Sequence, residues 1–186
     1  MSSAFTNKKN VTVLQGDYRV SNNTGEYFST VLGSCIAACI YDEKNGVGGM
    51  NHFLLAHGGN GGGANARYGV HAMELLINGV MKQGAERRNL KAKVFGGAKM
   101  SVNLADIGAK NTAFIQSFLR DEGIPCISSS VGGTSARRVR FDPTSGSAQQ
   151  TRVQNDQSLA DMEQAAAVRP APAPKPAEPA GDVMLF

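Results

Sequence analysis

Between Leu32 and Leu55 the chain carries two apolar runs, 32–41 and 47–55, separated only by Asp42-Glu43-Lys44-Asn45-Gly46. The Asn-Gly pair favours a tight strand-to-strand reversal, because both residues tolerate the positive φ such turns need. If the runs fold onto each other, facing residue numbers sum to roughly 88. Cys35, at the mouth of the first run, then falls opposite about position 53, one place from His52. A neighbouring imidazole can take a thiol proton and leave a thiolate able to attack a carbonyl. The spacing fits equally a buried structural cysteine beside a satisfied histidine.

The rest of the chain bounds the answer. At 186 residues it fits one domain plus a tail, long enough to bury a core. No apolar run approaches the roughly 20 residues needed to span a bilayer, so no membrane insertion is expected. Residues 1–10 hold two lysines with no apolar stretch behind them, so no signal peptide is expected. Three cysteines, an odd number, point to reduced thiols and a cytoplasmic location. Cys35, Cys39 and Cys126 lack metal-ligand spacing with His52, His57 or His71, so no metal is expected. The net charge is +4, with basic clusters at Arg137, Arg138, Arg140 and at Arg87, Arg88, Lys91, Lys93. With no tryptophan beside them, these clusters fit a solvated face or a patch for an acidic helix, not a nucleic-acid site.

Short strands are expected at 11–15, 18–20, 26–32, 35–41 and 47–55. The glycine-rich run 57–65 is too permissive to hold structure alone, and fits either a flap or a tolerated surface insertion. An apolar stripe over 68–83 predicts a helix ended by Gly84. A strand at 92–95, a helix at 107–122 and a strand at 124–128 follow, with Gly123 as the helix-ending glycine. Residues 137–141 and 149–153 look like a closing hairpin. The strand-helix-strand order predicts an α/β fold, a layered sandwich with a mixed sheet. Residues 1–10 are expected to be flexible, 11–153 to form the domain, and 154–180 to be a disordered Ala/Pro-rich linker. Val183, Met184, Leu185 and Phe186 then form an apolar tip, expected within 181–186 as a docking motif.

Six blocks occur in order: Gly33-Ser34-Cys35, Gly49-Met50-Asn51-His52-Phe53, Arg67-Tyr68-Gly69, the stretch from Ala92 to Ala98, the stretch from Ile107 to Asn111, and Gly132-Gly133. Together, over residues 10–153, they resemble the CheD family of chemoreceptor glutamine deamidases. The resemblance implies a cysteine hydrolase that converts receptor glutamine side chains to glutamate and needs no cofactor, with a fold similar to cytotoxic necrotizing factor-type deamidase domains. It also implies a secondary methylesterase activity, methyl-accepting chemotaxis receptors as substrates, and a CheC-like phosphatase as partner. An interaction protein of the chemotaxis array without catalysis is the alternative.

Cys35 is the expected nucleophile, with His52 as base and later acid. The bend at Gly33-Ser34 would leave the strand end accessible and backbone N–H groups placed for an oxyanion. Cys39 shares Cys35's face by strand parity but sits deeper, and Cys126 is also expected in the core. In the family, a hydroxyl residue shortly before the cysteine orients the histidine. Ser29 shares the parity of Cys35 and is favoured by spacing; Thr30 is the alternative, and the usual family residue is threonine. Gly96-Gly97-Ala98-Lys99-Met100 lacks the phosphate-loop pattern, so its glycines are expected to let backbone approach substrate or to permit a tight turn.

Overall fold

A computed structural model describes residues 4–55, 62–100 and 105–153. In chain order the elements are β1 (Lys9–Thr12), β2 (Tyr18–Ser21), β3 (Glu26–Leu32), β4 (Ile36–Asp42), β5 (Val47–Asn51), α1 (Gly62–Lys82), β6 (Lys91–Gly96), α2 (Ala105–Asp121), β7 (Cys126–Val131), β8 (Arg137–Phe141) and β9 (Ala148–Arg152). The strands form a four-stranded sheet, β1-β3-β8-β9, and a five-stranded sheet, β2-β5-β4-β6-β7. Both are mixed: β1 runs parallel to β3 and β6 parallel to β7, and the other pairs are antiparallel.

Side-chain alternation along β4 sorts the core into two slabs. Ile36, Ala38 and Ile40 face the helices and pack with Met73, Leu76, Ile77 and Val80 of α1 and Ile115 and Leu119 of α2. Cys35, Ala37, Cys39 and Tyr41 belong to the opposite slab, with Phe28 and Leu32 of β3 and Val139 and Phe141 of β8. Every β4 residue is buried, which is why its sequence is a continuous apolar run from Ile36 to Tyr41, closed by Asp42, instead of alternating. The order of layers is therefore sheet, sheet, helices, the layered α/β arrangement expected. Among the described residues no helix is long and apolar enough to cross a membrane.

Several local expectations need correction. Cys39 pairs with Met50 and Ile40 with Gly49, so facing numbers sum to 89 and not 88. The loop between Asp42 and Val47 holds an even number of residues, 43–46, and an even loop makes the sum odd. Asp42 itself shapes the reversal, accepting from the N–H groups of Lys44 at 3.0 Å and Asn45 at 3.2 Å. Helix α1 starts at Gly62, inside the run expected to be unstructured, and α2 starts at Ala105. From Phe5 onward the N-terminal segment packs against the sheets. Phe5 is buried edge-to-face on Tyr27, Lys8 pairs with Asp142, and Lys9 opens β1. Cys126 is exposed, not core, because it opens β7, an edge strand whose first four residues all face solvent. His57, part of the glycine run (residues 56–61) and the whole of 154–186, including the apolar tip, lie outside the described residues.

Candidate active site

Between Leu32 and Ile36 the chain leaves the four-stranded sheet and enters the five-stranded one. The three residues that make this crossing are Gly33, Ser34 and Cys35, and each has its carbonyl fastened. Ala98 N–H donates to Gly33 O at 2.8 Å, and Gly97 N–H donates to Cys35 O at 2.8 Å. The buried Asn111 amide of α2 donates to Ser34 O at 2.9 Å. So close an approach needs glycine at the end of β6 and on α2. Gly97 has φ of +65°, and a Cβ there would sit 2.2 Å from Thr112 Oγ1; one on Gly108 would sit 2.5 Å from Gly97 O. Here the glycines bring backbone against the candidate nucleophile's own segment.

His52 follows β5 directly. Ile36 and Phe53 form a two-way bridge, each N–H donating to the other's carbonyl at 2.9 Å. In this antiparallel register Ala37 lies opposite His52 and Cys35 opposite Leu54. Cys35, Ala37, His52 and Leu54 therefore share one face, with Cys35 and His52 diagonal neighbours. Both are buried, at 0% and 7% exposure. The backbone of His52 is fixed on both sides by the loop before β2: Gly16 N–H donates to His52 O at 2.7 Å, and His52 N–H to Asp17 O at 3.1 Å.

The hydroxyl that meets His52 is that of Thr30, 2.8 Å from Nδ1. Ser29, the residue favoured by spacing, instead donates to Asn10 Oδ1 at 2.7 Å across the β1–β3 pair. The parity count failed because it ran along one strand from 29 to 35, whereas the chain changes sheets at 33–35. On β3 it is Phe28 and Leu32 that face the inter-sheet core, and Thr30 shares their parity. Thr30 also fixes the histidine tautomer. Its single hydroxyl proton goes to Val13 O at 2.8 Å, so its lone pair receives Nδ1–H. In the neutral ring Nε2 then carries the lone pair.

Cys35 was expected at an accessible strand end, yet its residue is fully buried. Its thiol donates to Gln15 Oε1 at 3.6 Å, and Gln15 is an exposed residue of the loop before β2. Gln15 was not singled out from the sequence, since a lone glutamine in a turn carries no signal. Asn111 was also passed over, although it lies in one of the six blocks. Its amide oxygen accepts from Leu55 N–H at 3.0 Å, so one side chain ties the cysteine segment to the histidine segment.

The other two cysteines sit in different surroundings, Cys126 being exposed on β7. Cys39 is fully buried, and burial pushes its thiol far above the usual range, with Lys93 only partly offsetting this. Burial raises the Tyr68 phenol, and a thiolate at Cys35 would add to that rise. His71 is exposed on α1. Among the described residues no three His, Cys, Asp or Glu side chains gather to hold a metal ion.

Comparison with known proteins bears on this arrangement. The CheD family model, described as CheD chemotactic sensory transduction, matches residues 54–152, over half of the chain. A protein of Ruegeria sp. (strain TM1040) named "Probable chemoreceptor glutamine deamidase CheD 1" is 69% identical, covering 100% of both chains. A protein of Caulobacter vibrioides (strain NA1000 / CB15N) named "Probable chemoreceptor glutamine deamidase CheD" is 53% identical, covering 95% of this chain and 92% of its own. Among solved structures, a Neisseria meningitidis protein of the DUF152 family superposes with a TM-score of 0.44 at 12% identity, covering 69% of this chain and 65% of that one. The family model starts just past His52, but the match to the Ruegeria protein runs across Cys35, His52 and Thr30 at high identity, and on that full-length match the chain belongs to the CheD family.

Proposed function

We propose that this chain is a chemoreceptor glutamine deamidase in which Cys35 is the nucleophile, His52 the general base and acid, and Thr30 the residue that orients His52. The observation carrying this reading is the shared face of Cys35 and His52, with Nδ1 of His52 bonded to Thr30. That bond leaves the Nε2 lone pair as the proton acceptor in the neutral ring. In the reaction, His52 takes the Cys35 thiol proton and sulfur adds to the carboxamide carbon of a receptor glutamine. The imidazolium protonates the departing nitrogen, the C–N bond breaks, and ammonia leaves a thioester. Water, giving a proton to His52, adds to the thioester carbon. The C–S bond breaks, sulfur regains a proton, and the product is a glutamate side chain. Backbone N–H groups of the 33–34 bend, next to the nucleophile in the chain, would stabilise the oxyanion.

The same acyl steps extend to glutamate methyl esters, with methanol leaving in place of ammonia. The working setting is the cytoplasm, on the cytoplasmic portion of methyl-accepting receptors, with a CheC-like phosphatase as a regulatory partner. Ammonia release from purified receptor cytoplasmic domain, with mass spectrometry of its glutamine peptides, tests the proposal. Wild-type protein should convert glutamine to glutamate, and Cys35→Ala should abolish conversion while the fold persists. Conversion that survives Cys35→Ala would move the nucleophile elsewhere. Receptor binding without any conversion by the wild type would favour the non-catalytic array protein.

A further inference from the structure

The thiol of Cys35 is fully buried, and the side chain in contact with it belongs to an exposed residue. That residue, Gln15, carries a primary carboxamide, the functional group that the proposed reaction attacks. Its Oε1 receives the thiol hydrogen at 3.6 Å.

The backbone that presents Gln15 is firmly held. Asp17 N–H donates to Leu14 O at 3.0 Å, closing a turn through Gln15 and Gly16, and Gly16 takes a φ of +88°. Val13 N–H donates to Ser29 O at 2.9 Å, Thr30 donates to Val13 O, and Gly16 and Asp17 bracket the His52 backbone. One short loop therefore touches all three members of the candidate triad. With its backbone pinned, Gln15 moves by rotating its own side chain, which is long, unbranched and solvated on its outer side. Leu14, next to it in the turn, is 63% exposed, so a helix arriving at this turn meets Leu14 and Gln15 together.

We propose that Gln15 is a resting-state cap: its carboxamide occupies the position of the substrate carboxamide over Cys35 and must swing out before a receptor glutamine can be attacked. The inference rests on Cys35 being the reactive thiol. It makes Gln15 a determinant of apparent affinity and thiol access, not of the chemical step. A site open only a fraction of the time binds in proportion to that fraction, so a cap closed nine times in ten weakens apparent affinity about 10-fold.

The test is iodoacetamide labelling of the full chain, followed by peptide mass spectrometry, alongside receptor deamidation kinetics. Gln15→Ala and Gln15→Asn, the latter too short to reach the thiol, should both label Cys35 faster than wild type. They should lower KM for the receptor domain with kcat little changed. Cys39, buried throughout, should stay unlabelled and so report an intact fold. Labelling of both variants at or below the wild-type rate, with Cys39 still protected, would overturn the cap. A fall in kcat at constant KM would also overturn it, since Gln15 would then be assisting the chemistry. Absence of receptor deamidation by wild-type protein, with the variants still labelling faster, would defeat the deamidase reading and leave the cap standing.

Discussion

Thr30 spends its one proton on Val13 O and therefore presents a lone pair to Nδ1 of His52. Removing the hydroxyl without changing the side chain's branched shape isolates that contact. Thr30→Val should lower kcat by about 100-fold, through loss of ring alignment and of the fixed tautomer, with KM little affected. Thr30→Ser, which restores the hydroxyl, should recover most of the rate. Ser29→Ala should stay near wild type, because Ser29 Oγ bonds Asn10 on the neighbouring strand. Steady-state receptor deamidation by the three variants checks this. A slow Ser29→Ala with a fast Thr30→Val would return the orienting role to Ser29.

At the scale of single elements, the β4–β5 reversal is organised by Asp42. Its fully buried carboxylate accepts from Lys44 and Asn45 in its own loop, and from Glu86 N–H at 2.9 Å in the segment after α1. Burial alone would raise this carboxyl. The hydrogen bonds from Glu86, Asn45 and Asn89 outweigh it and hold the group at about 2. A carboxyl depressed on folding contributes stability that is present above its unfolded value of 3.8 and is lost as pH falls toward about 2. The shift corresponds to about 2 kcal/mol. Urea unfolding should therefore show wild-type stability falling across that acid window. Asp42→Asn should be weaker at neutral pH and flatter through the same window. Parallel acid limbs for the two proteins would assign the acid loss elsewhere, Asp142 being the next candidate because its carboxyl is also held down. There burial works upward against the hydrogen bonds from Lys8 and Thr144.

Over the whole molecule, what could be read from the sequence was whatever depends on neighbours along the chain. Strand β3 runs over 26–32 and β8 over 137–141, as expected, since alternation and turn residues are local signals. The end of α1 before Gly84, which has φ of +106°, is local in the same way. That Cys35 and His52 come to nearby positions on facing segments was also legible, because a hairpin is the shortest-range tertiary contact a sheet can make. What failed were statements about which sheet a residue joins. The assignment of Ser29 over Thr30 needed the sheet change at 33–35. The exposure of Cys126 needed β7 to be an edge strand, and the burial of Cys35 needed a loop from the start of the chain. None of these leaves a periodic trace.

Asn111 shows how the three layers are kept in register around the site. It sits on α2, fully buried, and its amide reaches Ser34 O in the crossing between the sheets and Leu55 N–H just past His52. Leucine fills a similar volume but can neither donate to one group nor accept from the other, so the buried Ser34 carbonyl and the part-buried Leu55 N–H would lose their partner. At about 1–3 kcal/mol for a buried group left unsatisfied, and less for a part-buried one, Asn111→Leu should cost roughly 1–4 kcal/mol of stability. Asn111→Asp keeps an acceptor for Leu55 N–H but sets a carboxylate against Ser34 O, so it should also be destabilised at neutral pH. Protonation restores a donor, and its deficit relative to wild type should shrink as pH falls toward the carboxyl range. Thermal unfolding of both variants, run beside Cys35 labelling, reads stability and site geometry together. Wild-type melting with unchanged labelling in Asn111→Leu would mean that the glycine contacts from β6 hold the cysteine segment without help from α2.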